Sequence, residues 1–233
     1  MSQGPDVRFY GRRKGHELKP ARQRLVTEAL PFLRLPEALP SDLRTLFARP
    51  VRDVWLEIGF GAGEHLVHQA RAHLDIGFIG AEPYINGIGA LIAAVTAPLN
   101  GEGNARGIET VRIHDDDART LLPRLPDASI GRLFVLFPDP WHKARHNKRR
   151  LISAETLDEF ARILAPGAEF RFASDDDGYV RWTLARVTRH PAFVWTAKGP
   201  SDWRNRWEDA IATRYEVKNI TGRKPAYLTF RRL

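Results

Sequence analysis

The stretch VWLEIGFGAGEHLVHQA, Val54–Ala70, decides the fold. Val54–Ile58 is apolar apart from Glu57 and has the length of a short strand. It runs into Gly59-Phe60-Gly61-Ala62-Gly63. From Glu64 to about His73, Leu66, Val67 and Ala70 fall on one helical face. Strand, glycine turn and helix in that order open a doubly wound sheet. A glycine turn alone would suit any tight strand-to-helix connection. Here the spacing is G-x-G-x-G, and Glu57 stands two residues before the first glycine. A dinucleotide pyrophosphate would be repelled by that charge, and a cationic ligand attracted.

The alternation continues downstream. Gly77–Ala81 reads as a strand ending in Glu82, and a helix follows from Tyr84 to about Ala97. An acid roughly 20 residues past the glycine loop is where a ribose diol is held. Gly101–Gly107 reads as a turn. Val111–His114 is a third strand, ending in Asp115-Asp116-Asp117. An acid there can accept from an adenine amino group; Asp117, just before Ala118, is the favoured one, while Asp115 and Asp116 suit a solvated turn and helix start.

The most unusual tract is LFVLFPDPWHKARHNKRR, Leu133–Arg150. An apolar strand is stopped by Pro138 and Pro140, which cannot donate to a ladder. Asp139 sits between the prolines, Trp141 follows, and then Lys143, Arg145, Lys148, Arg149 and Arg150. A charge run alone is most often a solvated face. This one begins where a strand delivers an acid and an aromatic ring.

Beyond it, Ser153 can cap a helix running to Leu164, with Leu157, Phe160, Ala161 and Leu164 on one face and Ala165-Pro166-Gly167 as its end. Ala168–Ala173 is an alternating strand that leads into Ser174 and three further aspartates, Asp175–Asp177. Tyr179–His190 reads as a helix, Phe193–Thr196 as a strand, Pro200–Trp207 as a polar, Trp-rich loop and Ala226–Phe230 as a last strand. Thr213–Glu216 is a short polar cluster of the kind usually found on the surface.

Residues 1–24 are basic, with Phe9, Tyr10 and His16 among the charges, and too poor in aliphatics to form a core. They read either as a disordered tail or as an arm that orders on phosphates. Residues 25–50, broken by Pro31, Pro36, Pro40 and Pro50, suggest short helical pieces. The chain thus divides into 1–50, a basic arm with a short helical segment, and 51–233, the main domain.

At 233 residues the chain can bury a sizeable core. A net charge of +8 and a pI near 10.1 point to a polyanionic partner. No long apolar span or basic amphipathic helix favours a membrane, and Met1–Gly15 lacks the apolar region of a signal peptide. The absence of cysteine removes disulfides, thiolate zinc, iron–sulfur clusters and a cysteine nucleophile, and fits a cytoplasmic protein.

In open α/β sheets ligands bind beyond the carboxyl ends of the strands. Four acids at successive strand ends, Glu57, Glu82, Asp117 and Asp139, suit a ligand with hydroxyls, an amine and a positive centre. S-adenosylmethionine has all three, whereas the phosphates of NAD would meet too much negative charge.

These motifs together resemble the bacterial tRNA (guanine-N7)-methyltransferases. The likeness rests on LEIGFGAG (Leu56–Gly63), GAE (Gly80–Glu82), DDA (Asp116–Ala118), FPDPWHKARHNKRR (Phe137–Arg150), SD (Ser174, Asp175) and TRYE (Thr213–Glu216), in that order. The resemblance implies a class I, Rossmann-like methyltransferase fold, with a mostly parallel seven-stranded sheet and an antiparallel C-terminal strand. It implies methyl transfer from S-adenosylmethionine to N7 of a guanine in the tRNA variable loop, without a metal. Glu57, Gly59, Gly61, Glu82, Asp117 and Asp139 would contact the cofactor, with Asp139 also at the reaction centre. Lys143, Asp175, Thr213, Arg214, Tyr215 and Glu216 would hold the substrate. Arg145, His146, Asn147, Lys148, Arg149 and Arg150 would touch the tRNA. The expected state is a monomer, with a homodimer as the alternative.

The chemistry agrees. Guanine N7 carries a lone pair and no proton, so alignment and field effects suffice. Asp139 would either offset the charge developing on the purine or accept from the guanine N1–H or amino group. Trp141 would either stack on the base or pack in the core. The same residues also allow two rival functions: a nucleic-acid amine methyltransferase, suggested by Pro-Asp-Pro-Trp, and a non-catalytic tRNA-binding protein.

Overall fold

A computed structural model describes residues 13, 15–97, 107–218 and 222–233. The arm up to residue 12, Lys14 and the expected turn at 101–106 lie outside the described residues. Helix α1 is Pro20–Leu33. There follow β1 (Asp53–Ile58), α2 (Glu64–Ala72), β2 (Ile76–Ala81), α3 (Ile85–Thr96), a single turn α4 (Gly107–Thr110) and β3 (Val111–His114). The second half has α5 (Ala118–Leu121), β4 (Ile130–Leu136), α6 (Ala154–Ile163), β5 (Leu164–Ser174), α7 (Asp177–Val187), β6 (Phe193–Trp195), α8 (Ser201–Arg204), α9 (Arg214–Lys218) and β7 (Ala226–Arg232).

The strands form one sheet in the order β3-β2-β1-β4-β5-β7-β6. β1 pairs in parallel with β2 and β4, which puts Glu57 beside Gly80 and Phe134. β7 is antiparallel to both β5 and β6. This is the doubly wound sheet that the βα alternation predicts, mostly parallel and with the antiparallel C-terminal strand that the family resemblance implies. β1 and β2 are almost wholly buried because each lies between neighbours and under helices on both faces. Side chains alternate between two cores. Leu56, Ile79, Leu133 and Phe172 pack with α6 and α7 on one face. Trp55, Phe78 and Phe134 pack with α1, α2 and α3 on the other.

Local chemistry sets the helix starts. Ser153 and Thr156 form a reciprocal capping box on α6, Asp176 caps α7 and Asp117 caps α5. Three expectations need correction. α1 is one helix of 14 residues with Pro31 in its last turn, because Leu30 and Leu33 bury on the sheet and offset the lost hydrogen bond. Ala165–Gly167 do not separate helix from strand: β5 begins at Leu164, pairs with Ile130 and resumes at Glu169 after an irregularity. The Trp-rich segment is not all loop, since Ser201–Arg204 closes a helical turn.

That segment covers a part of the sheet that the helices leave open. Trp207 meets Tyr227 edge-on at 5.3 Å and donates to Thr229 Oγ1 at 2.9 Å. Asp209 takes Arg171 Nη1 through both oxygens, at 2.7 and 2.9 Å, and Arg132 Nη1 at 3.1 Å. Burial opposes the Asp209 carboxylate, yet Arg171 and then Arg132 hold it below its ordinary range. No helix among the described residues is long and apolar enough to cross a membrane.

Candidate active site

β1, β2, β3 and β4 end side by side, and the glycine turn after β1 bends over their tips. Gly61 adopts φ +55°, a conformation that disfavours a side chain. Gly87, in the first turn of α3, lies so near the turn that a Cβ there would stand 2.1 Å from the Gly61 carbonyl oxygen. The loop is thus seated on a helix with no room to spare.

The strand-end acids gather around it. Glu82 accepts from the Gly61 amide at 2.9 Å and the Tyr84 amide at 3.0 Å. Burial pushes its carboxyl above the ordinary range; the two amides oppose that, while Asp139 and Glu57 add to it by charge. Glu82 thus lies within electrostatic reach of two of the other strand-end acids. The aspartate run sorts itself: Asp115 binds Arg34, Asp116 binds Arg13, and Asp117 lines the groove while capping α5. A cavity of about 320 Å³ is bordered by Glu82, Tyr84, Asp117, Asp139 and Trp141. A second, of about 430 Å³, is bordered by Glu57, Gly61, His65, Thr213 and Tyr215. Gly59, Tyr84 and Phe137 border both. Cavities of this size suit a small ligand, and the pair lies beyond the carboxyl ends of the strands.

Glu57 is 4% exposed, and its Oε2 lies 2.8 Å from His65 Nδ1. Asp139 is exposed at the groove mouth. It is carried between two non-glycine residues of positive φ, Phe137 at +50° and Trp141 at +47°. Such backbone is costly for aromatic residues and marks a functional turn. Trp141 is half-buried, neither core nor free: the Arg149 guanidinium lies 4.9 Å over its ring and His146 meets it edge-on.

The basic tract divides. Lys143, Arg145 and Lys148 are exposed, while His146, Asn147 and Arg149 are half-buried. Arg150, expected at the RNA, faces inward. It is 7% exposed, donates to the Pro140 carbonyl, and lies 4.9 Å from the Tyr179 ring centre and 4.8 Å from that of Trp182. Its guanidinium is occupied by the fold. Lys143 is not among the residues lining these grooves.

Of the residues expected at the substrate, Asp175 and Tyr215 come together, the Tyr215 phenol donating to the Asp175 carboxylate. Burial first, then Asp175, pushes that phenol up, with Asp139 and Asp176 adding charge. The Tyr215 ring lies 5.2 Å from that of Phe137. Glu216 is engaged internally, and its side chain is 6% exposed. Its Oε1 accepts from Tyr227 and Arg206, and its Oε2 from the Thr213 amide and hydroxyl. Burial opposes that carboxylate, but Tyr227, Thr213 and Arg206 hold it below the ordinary range. Glu216 therefore ties down the cluster that carries Tyr215. Arg214 pairs with Glu64 at 3.1 Å and is otherwise exposed.

Sequence reasoning missed His65, Tyr84, Arg119 and Phe137. Tyr84 follows the ribose-type acid and Phe137 precedes the proline motif, so their positions offered a signal. Arg119, which binds Asp117 at 3.2 Å and the Arg149 carbonyl at 2.9 Å, offered none.

A family profile described as putative methyltransferase matches residues 51–229. A tRNA (guanine-N(7)-)-methyltransferase of Rhodospirillum rubrum is 54% identical over 233 residues, covering 97% of this chain and 88% of that one. One of the same name from Brucella anthropi is 49% identical over 225 residues, covering 95% and 93%. Among solved structures, the 16S rRNA methyltransferase KamB superposes with a TM-score of 0.55 at 19% identity, covering 78% of this chain and 88% of its own, which shows the shared fold. With the strand-end acids, the Pro-Asp-Pro-Trp turn and the basic rim in place, the chain belongs to the tRNA (guanine-N(7)-)-methyltransferase family.

Proposed function

We propose that this enzyme transfers a methyl group from S-adenosylmethionine to N7 of a guanine in the variable loop of tRNA, in the cytoplasm and as a monomer. The observation that carries this reading is the gathering of Glu82 and Asp139 on one groove and Glu57 on an adjoining one that shares Gly59, Tyr84 and Phe137, beside a tract whose Arg145 and Lys148 remain exposed. When bound, the cofactor supplies an electrophilic methyl on a sulfonium. Glu82 and Asp117 border the groove that fits its adenosine part, and Glu57 borders the adjoining groove for its amino-acid end. Gly59 and Gly61 let the backbone run close to it.

The protein needs no general base, because guanine N7 bears no proton. What remains is positioning, plus a field that favours the purine cation as it forms. Asp139 is exposed on the groove bordered by Glu82 and Asp117, where a carboxylate opposes that charge. Asp175 and Tyr215 border a neighbouring cavity, where a base drawn out of the tRNA fold would be held. Residues 1–50 serve as a basic arm to a methyltransferase domain of 51–233. The profile match beginning at residue 51 supports that division.

The test is incubation with labelled S-adenosylmethionine and bulk tRNA, followed by nucleoside analysis. Label in 7-methylguanosine, absent with Asp139→Asn, is the expected result. Label on an exocyclic nitrogen, or tRNA binding without any cofactor affinity, would replace this reading with one of its rivals.

A further inference from the structure

Glu57 and Glu82 are both buried acids beside the same loop, but they are supported differently. Glu82 is held by two backbone amides, from Gly61 and Tyr84. The backbone of Glu57 is committed to the sheet, between Gly80 and Phe134. Among the described residues its carboxylate has one hydrogen-bond partner, His65 Nδ1 at 2.8 Å. A carboxylate at 4% exposure is costly unless hydrogen-bonded.

His65 is itself fixed. It is 2% exposed, lies in the first turn of α2, and meets the Phe134 ring edge-on at 4.7 Å. Its Nε2 is buried with no partner among the described residues. The imidazole therefore has one polar engagement, and since a carboxylate oxygen only accepts, Nδ1 carries the proton. Both residues border the groove that also holds Thr213 and Tyr215.

We propose that His65 is a positioning residue for cofactor capture: by holding Glu57 Oε2 it fixes the carboxylate rotamer and leaves Oε1 to meet the ammonium at the amino-acid end of the methyl donor. His65 thus does for Glu57 what the amides of Gly61 and Tyr84 do for Glu82. It touches neither the reacting methyl nor the base. The inference rests on the function proposed above, and it adds a determinant of cofactor affinity that lies eight residues past the acid, on the next helix.

The test compares His65→Asn, whose amide nitrogen can take the place of Nδ1, with His65→Gln, whose amide falls nearer the position of Nε2. Binding of S-adenosylmethionine and of methylthioadenosine, which lacks the amino-acid end, is measured by calorimetry, with thermal melting as the fold control. The wild type binds S-adenosylmethionine; failure here overturns the proposed function rather than the role of His65. His65→Gln weakens S-adenosylmethionine about tenfold, His65→Asn stays near wild type, and methylthioadenosine affinity is unchanged in both. In a Glu57→Gln background, His65→Gln adds no further loss. Equal S-adenosylmethionine affinity in both variants and wild type, equal loss of both ligands, or additive loss in the double variant would overturn the role. Should His65→Gln not fold, the Asn variant with and without Glu57→Gln decides: the role requires near-wild-type affinity alone and the loss of Glu57→Gln, no more, in combination.

Discussion

The Arg150 guanidinium donates through Nε to the carbonyl oxygen of Pro140 across 2.8 Å. The last arginine of the basic tract thereby closes a loop on the second proline of the motif that presents Asp139. One run of charges contains residues that face solvent and one that builds the turn.

Arg150→Ala and Arg145→Ala should therefore fail in different ways. Arg150→Ala removes a buried hydrogen bond and packing on Tyr179 and Trp182, and should lower stability by about 2 kcal/mol, seen as a lower melting temperature. Arg145→Ala should leave melting nearly unchanged. It should weaken tRNA binding and reduce the slope of log affinity against log salt by about 1.

Glu82 makes stability depend on pH. Burial raises its carboxyl above the ordinary 4.5, so the folded chain holds that proton more tightly than the unfolded chain. Its contribution is most favourable in acid and is lost as pH rises from the unfolded value through the raised folded one. Denaturant titrations from pH 4 upward should show the Glu82→Gln variant gaining stability relative to wild type over that window, while its cofactor affinity falls. A constant difference across the window would contradict the raised value.

Asp209→Asn tests the anchor beneath the substrate cluster. Two arginines on β4 and β5 would lose one of the two acids they share and keep Glu169, costing about 1–2 kcal/mol after allowing for the partial exposure of Asp209. The segment leading to Thr213–Glu216 should loosen, raising the KM for tRNA while cofactor affinity stays close to wild type.

Gly87→Ala should disturb the cofactor loop from behind. A Cβ 2.1 Å from the Gly61 oxygen forces loop or helix to move. Cofactor affinity should drop by at least tenfold, with a stability loss of about 1–3 kcal/mol. Gly199→Ala, where a Cβ meets nothing within 4 Å, is the control.

What was legible in the sequence is what periodicity and strand-end chemistry encode. β1 and α2 follow from an apolar run, a glycine turn and a helical face, and Glu82 was marked by its distance from the glycines. Spatial relations between distant residues were not legible. Asp209 is 77 residues from Arg132 and 38 from Arg171, and nothing local links them. His65 looks like any histidine on a helix. In Lys148-Arg149-Arg150 the charges are equal on paper, and only the turn made by Pro138–Trp141 decides which one points inward. Pro31 in isolation is a strong breaker and predicts shorter helical pieces, whereas burial of Leu30 and Leu33 overrides it in α1.

The placement of β7 bears on biosynthesis. β7 lies between β5 and β6, so the β5 flank stays unpaired and β6 cannot join the sheet until Ala226–Arg232 has emerged. A nascent chain that has already built β1–β5 presents the open flank of β5, with its backbone N–H and C=O groups unpaired, to its surroundings. Stalled or prematurely terminated products should be sticky rather than partly active, and cellular quality control would meet them as exposed strands.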